Sequence, residues 1–439
     1  MTHSKSPKQY RQIFYSYLDG LADCPDRSLI EGEAFTRNRK IGLSRIARFI
    51  ASLTSGSIRQ QNLTYFKTHK IQVTDSAICQ ARSKFDHTVL KIACLGFTDE
   101  LVQESPLFKG KYRLIGVDGS NFPILPNPDE PQNCIPGHGL PHWGLHFNAA
   151  FDLNNRYYIN YLVQSAEDKN ENSAALQFVK EYDQPGTPIW IYDRLFFSFD
   201  LATQINAAQQ KFVFRMKERS LHSLLDAGQT LDQPLDHESS RILISSQKAA
   251  TRNRADLYKY VVRNSVELIT PQNPTLLFPY RLIIVEIESQ NESDGKPVKT
   301  MEYLLTNLSQ EEFDADQIKE LYHLRWNIEV SFRDLKYVLH GKQVHSRKQN
   351  QIEQEIDMAV MVYNLISAIS KCALPKQPGM KLQYKTNRKA LSEIVLRFLT
   401  GKALQKEVIW TIENEVVPIR KNRHFRRAKS SSASTSHWK

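Results

Sequence analysis

Asp118, Asp193 and Glu329 are the side chains of this 439-residue sequence best placed to do chemistry. Asp118 follows the apolar run Tyr112 to Val117, and Asp193 follows Pro188 to Tyr192, so each is expected to close a buried strand. Neighbouring parallel strands bring such strand-end carboxylates side by side. Two divalent ions about 4 Å apart need a bridging carboxylate and further oxygen ligands, one ion activating an attacking oxygen and the other stabilising the leaving one. Taken singly, each aspartate also has an ordinary explanation, since an Asp before Gly119 is a common turn former.

The third carboxylate has stronger support. From residue 315 to 340 the apolar positions recur at helical spacing, and at about 100° per residue Tyr322, Arg325, Glu329 and Lys336 fall within an arc of about 60°. Leu321, Leu324, Ile328, Phe332, Leu335 and Leu339 occupy the adjoining arc, so the polar stripe borders the buried face and Glu329 points along the edge of the core. The alternative is a salt-bridged helix surface, because Arg325 and Glu329 have i,i+4 spacing.

These side chains need a scaffold, and the sequence supplies an alternating one. Leu145 to Asp152 and Arg156 to Gln164 read as a hairpin turned at Asn154-Asn155; Asn172 to Glu181 reads as a crossover helix, and Lys211 to Met216 as a strand behind a second helix. The order is three strands, helix, strand, helix, strand, which is an α/β pattern. Residues 220–310 carry strand-like runs separated by polar loops and read as an all-β insertion; a second long helix covers Glu353 to Ala373. The first hundred residues read as helical. There Thr74 or Asp75 caps a helix continuing to Phe85, whose Ser76, Gln80, Ser83 and Lys84 face either a DNA groove or solvent.

The chain resembles the DDE transposases of the insertion-sequence-4 type, whose helix signature Y-x2-R-x3-E-x6-K is complete here as Tyr322, Arg325, Glu329 and Lys336. The strand end Asp193-Arg194 and the segment Tyr303 to Leu308 are also similar, and the resemblance extends over most of Arg113 to Ala373. It implies a ribonuclease-H-like core with a β-rich insertion, plus an all-helical N-terminal domain. Asp118, Asp193 and Glu329 would be catalytic ligands of two Mg2+ or Mn2+ ions, and Tyr322, Arg325, Lys336 and Arg194 would contact DNA. The substrate would be double-stranded DNA, both transposon ends and target, held by a homodimer. The expected division is a helical DNA-binding domain over 1–105, the core over 106–219 and 311–375, the insertion over 220–310, and a helical segment with a basic, Ser-rich tail over 376–439. In better-understood relatives an insertion tryptophan stacks on a flipped base, but no Trp lies between residues 191 and 325 here. A nuclease that cuts without joining, a DNA-binding regulator without catalysis and a basic structural protein are the rival readings.

Composition fits a polyanionic partner: 58 Lys and Arg against 47 Asp and Glu leave a net charge of +11. Five scattered cysteines without a C-x-x-C pair argue for reduced thiols and hence a cytoplasmic, nucleoid-associated protein, and no apolar run is long enough for a bilayer. Cys134, His138, His142 and His146 are spaced by four, as metal ligands can be. The intervening Pro136, Gly137, Gly139, Pro141 and Gly144 rule out one helix presenting all four, so a structural zinc is not expected.

Overall fold

In a computed structural model the chain is described over residues 5–419, apart from 25, 38, 137–140, 247–253, 291–296, 339–342 and 380–381. The basic, Ser-rich tail lies outside the described residues, as do His138 and Leu339. Five helices come first: α1 (Pro7–Gly20), α2 (Leu43–Ala51), α3 (Ile58–Thr68), α4 (Asp75–Arg82) and α5 (Thr88–Gln103). Thr74 caps α4, its hydroxyl accepting from the Ala77 N–H at 3.1 Å, but the helix stops at Arg82 rather than reaching Phe85.

The chain then forms β1 (Tyr112–Ile124), the short β2 (Cys134–Ile135) and the hairpin β3 (His142–Asp152) and β4 (Tyr157–Gln164). It crosses by α6 (Glu171–Lys180) to β5 (Thr187–Tyr192), and by α7 (Phe199–Ala207) to β6 (Lys211–Arg215). β1 runs antiparallel to β3 and parallel to β5, which is parallel to β6. Leu114, Ile115, Ile189, Trp190, Ile191 and Val213 are almost wholly buried, as expected of central strands covered on both faces.

The stretch read as an all-β insertion supplies β7 (Leu235–Ile244), β8 (Tyr258–Tyr260), β9 (Thr275–Gln290) and β10 (Pro297–Thr306). These strands do not form a separate layer. β10 pairs with β6 through Leu304 to Thr306, so one ten-stranded sheet runs β2-β3-β1-β5-β6-β10-β9-β7-β8, with β4 also pairing to β3. β10 thereby satisfies the backbone groups that β6 would otherwise leave at an open edge.

The single helix expected from 315 to 340 is broken into α8 (Ala315–His323) and α9 (Trp326–Arg333). At the junction the Asn327 N–H bonds to Leu324 O at 2.9 Å and the Ile328 N–H to Arg325 O at 3.0 Å, the tighter three-residue spacing, and a π-helical turn over Asp334–Val338 follows α9. α8 lies across β6 and β5 while α9 lies on β1, so the segment spans strands whose directions rotate with the sheet twist.

α10 (Gln349–Ile369) is the spine of the molecule, packing on α1, α2 and α5 and on β4. Its buried polar residues each have a partner on another element: Asn364 pairs with both backbone groups of Tyr158, Asp357 with Tyr161 and His87, and Glu355 with Arg82 and His345. After it come β11 (Tyr384–Thr386), α11 (Arg388–Leu399), α12 (Gln405–Asn414) and β12 (Val416–Pro418). Among the described residues no helix is long and apolar enough to cross a membrane.

The Arg82–Glu355 contact, 2.8 Å with Arg82 at 1% exposure, ties the amino-terminal helices to α10. Removing one partner leaves a buried charge without its counter-charge. Glu355→Ala is therefore expected to cost about 3–5 kcal/mol in urea denaturation. Pairing Arg82→Met with Glu355→Leu should recover most of that loss.

Candidate active site

Parallel pairing of β1 with β5 ends at Val117↔Tyr192, so Asp118 and Asp193 are the next residues on adjacent strands. Strand spacing puts their backbones roughly 5 Å apart. Asp118 does not close its strand as expected. β1 continues to Ile124 because β3 keeps pairing with it, from Asp118↔Ala149 to Ile124↔Trp143, after β5 has stopped. On the other flank of Asp193 comes Arg215, one step past Tyr192↔Phe214 on β6.

The helical segment crosses this row from β6 towards β1 and delivers its stripe residue by residue. The Tyr322 hydroxyl donates to Asp193 Oδ1 at 3.4 Å. Arg325 reaches Asp118 Oδ2 with Nη1 at 3.4 Å and Glu329 Oε1 with Nη2 at 2.8 Å. Further along β1, Lys336 Nζ donates to Ser120 Oγ at 2.6 Å and to Asn121 O at 2.7 Å. The four signature side chains thus share one face despite the break in the helix. Arg194 is exposed in the turn after β5, and Trp326 is half-exposed with its ring 5.3 Å from the Arg325 guanidinium.

The electrostatics are those of crowded carboxylates around one arginine. Burial pushes the Asp118 carboxyl up to about 6; Arg325 and the Gly119 N–H oppose this, and the negative charges of Glu329 and Glu171 add to it. Burial lowers the Arg325 pKa, but Tyr322, Asp118 and Glu329 outweigh it and hold the guanidinium above its ordinary value. Burial raises Tyr322, so its hydroxyl keeps its proton. Among the described residues no three His, Cys, Asp or Glu side chains are close enough to share a metal ion as they stand. The donor chemistry nonetheless fits hard divalent cations, all three candidate ligands, Asp118 on β1, Asp193 just after β5 and Glu329 on α9, being carboxylates.

Several neighbours of the site lack an evident sequence signal. Gly119 is required less as a turn former than for space: a Cβ there would collide with the His146 ring and come within 2.8 Å of Glu171 Oε1. His146 lies within β3, Nδ1 2.7 Å from Asn121 Oδ1 and Nε2 3.0 Å from Glu171. The hydrogen bond from His146 holds the Glu171 carboxyl below its usual range against the effect of burial. Arg215, its guanidinium 6.0 Å from the Tyr322 ring, had one signal available, a basic residue ending an apolar strand beside the two that end in Asp.

Residues 109–365 match the family model described as the transposase DDE domain. The transposase of insertion sequence element IS421 from Escherichia coli is 33% identical over 110 residues, 21% of this chain and 28% of that protein; the InsL proteins of elements IS186A and IS186B from Escherichia coli K12 match to the same extent. The matched part therefore spans little over a quarter of those relatives. The cryo-EM structure of the piggyBac transposase synaptic complex with hairpin DNA aligns with a TM-score of 0.45 at 11% identity, covering 92% of this chain and 82% of that one, a likeness too distant to transfer detail.

The raised Asp118 pKa gives a pH test. The folded chain keeps a proton that the unfolded chain releases between about pH 4 and 6, so stability falls as pH climbs through that window. Asp118→Asn cannot ionise and lacks the fall. Metal-free Asp118→Asn protein is expected to gain on the order of 2 kcal/mol on the native protein between pH 4 and 7, measured by urea denaturation. Superimposable pH profiles would contradict the burial of this charge.

Proposed function

The chain belongs to the transposase DDE domain family, and from that membership we propose that it is a DNA transposase that binds the terminal inverted repeats of its element and carries out metal-dependent cleavage and strand transfer. One observation carries this reading: Asp118 and Asp193 stand side by side at the ends of a parallel ladder, and Tyr322 and Arg325 bring Glu329 to them. The strand order β4-β3-β1-β5-β6, three antiparallel strands and then two parallel ones reached through helices, supports a ribonuclease-H-like core, and the spacing from Tyr322 to Lys336 supports the insertion-sequence-4 type.

In this mechanism Asp118, Asp193 and Glu329 would hold two Mg2+ or Mn2+ ions. When bound, such ions lower the pKa of the attacking oxygen and neutralise the leaving one, so neither ATP nor a covalent protein intermediate is required. Water attacks first at the transposon end, and the freed 3′-hydroxyl then attacks target DNA. Arg325 binds a phosphate bidentately and Lys336 as a point charge, while Tyr322 donates to a phosphate rather than acting as a nucleophile. Arg194, exposed beside Asp193, adds a further cation on the DNA side.

The amino-terminal helices are the proposed DNA-reading domain. α4 exposes Ser76, Cys79 and Gln80, and Ser83 follows it exposed, beside a groove of about 940 Å³ whose described lining sets Arg37, Arg39, Lys40 and Lys84 against Glu31 and Glu33. A helix with uncharged polar tips flanked by cations suits base edges between phosphates. Two ends must be joined, so a homodimer working in the cytoplasm on nucleoid DNA completes the proposal.

A nuclease on the same fold is the alternative, and joining separates the two. With DNA bearing the inverted repeats that bound the gene, a transposase yields inserted product where a nuclease yields only cuts. Asp118→Asn, Asp193→Asn and Glu329→Gln are each expected to lower cleavage at least about 10³-fold while leaving duplex binding in place. Cleavage surviving all three substitutions would overturn the assignment.

A further inference from the structure

Arg325 is the buried cation of the site. It is 4% exposed, its two terminal nitrogens engage Asp118 and Glu329, and its Nε has no hydrogen-bond partner among the described residues. A buried polar atom left unpaired costs free energy. Arg325 also sits at the junction of α8 and α9, where the backbone ladder has tightened to three-residue spacing. Such interruptions inside a helix often mark hinges.

A guanidinium and a divalent ion compete for the same oxygens. Metal ligation at about 2.0–2.1 Å would set a doubly charged ion against the oxygens that Arg325 now contacts, Asp118 Oδ2 and Glu329 Oε1, where the two cations repel. It also needs those oxygens to converge on one point, whereas the guanidinium spaces them around its own width. Once displaced, a buried arginine needs another anion, and a DNA phosphate matches its planar fork.

We propose that Arg325 is an internal counter-cation that keeps metal ions out of the site until a DNA phosphate draws it away, so that metal loading is coupled to DNA binding. This rests on the metal-dependent reading above. Through linkage, whatever factor DNA adds to metal affinity, metal adds to DNA affinity. The arrangement would guard against cleavage by a metal-loaded enzyme without a bound end.

The test is Mn2+ binding to the full-length chain without DNA, followed by the electron paramagnetic resonance signal of free Mn2+. Arg325→Gln is expected to bind Mn2+ at least about tenfold more tightly than the native chain, about 1.4 kcal/mol. Adding Asp118→Asn to Arg325→Gln should abolish the gain. Native protein binding as tightly as Arg325→Gln, with both losing the ion on Asp118→Asn, overturns the gate and leaves the metal site standing. If no variant has an Asp118-dependent ion, the metal-dependent reading fails, and the gate with it. Should circular dichroism find Arg325→Gln unfolded, Arg325→Lys replaces it. Lysine keeps the charge but lacks the fork that spans two carboxylates, so Mn2+ binding must still tighten, and no change overturns the proposal.

Discussion

Asp118 is buried beside the negative charge of Glu329, and a cation between the two carboxylates is the condition on which the arrangement depends. Arg325 supplies it, 2.8 Å from Glu329 and 3.4 Å from Asp118. The compensation is incomplete: burial still drives Asp118 up to about 6. A carboxyl held in this way keeps part of its burial penalty even with its counter-charge beside it.

The architecture follows from placing these groups. Parallel pairing sets Asp118 beside Asp193, and the continued pairing of β1 with β3 holds Ser120 and Asn121 out where Lys336 can reach them. The helical segment then has to travel from β6 to β1, and it breaks at Leu324 and Arg325 to do so. α10 fixes the amino-terminal helices to this core through buried, fully partnered polar contacts, the kind that specify one docking geometry rather than add much stability. The groove along α4 and the carboxylate row are thus parts of one packed body.

What the sequence discloses divides along physical lines. Periodicity is local, so the buried strands, the Thr74 cap and the stripe from Tyr322 to Lys336 were all legible. Pairing is not local. Nothing in the residues around Asp118 says that β3 would carry β1 beyond it, and nothing in residues 220–310 says that β10 would dock on β6 instead of closing a layer of its own. The break in the helix was hidden for the same reason, since helical propensity continues through Leu324 and Arg325 and only the sheet below demands the turn. Gly119 has a plausible local explanation as a turn former and a different actual one, the His146 ring and the Glu171 carboxylate standing where a Cβ would go.

Whether Asp118, Asp193 and Glu329 form a metal-binding site is decided by anomalous diffraction from crystals of the chain with Mn2+ and a DNA end. Two Mn2+ peaks about 4 Å apart are expected, ligated by these three carboxylates, with the Arg325 guanidinium withdrawn from them onto a phosphate. Peaks elsewhere, or a DNA-bound site in which Arg325 still bridges Asp118 and Glu329 and holds no ion, would contradict this expectation.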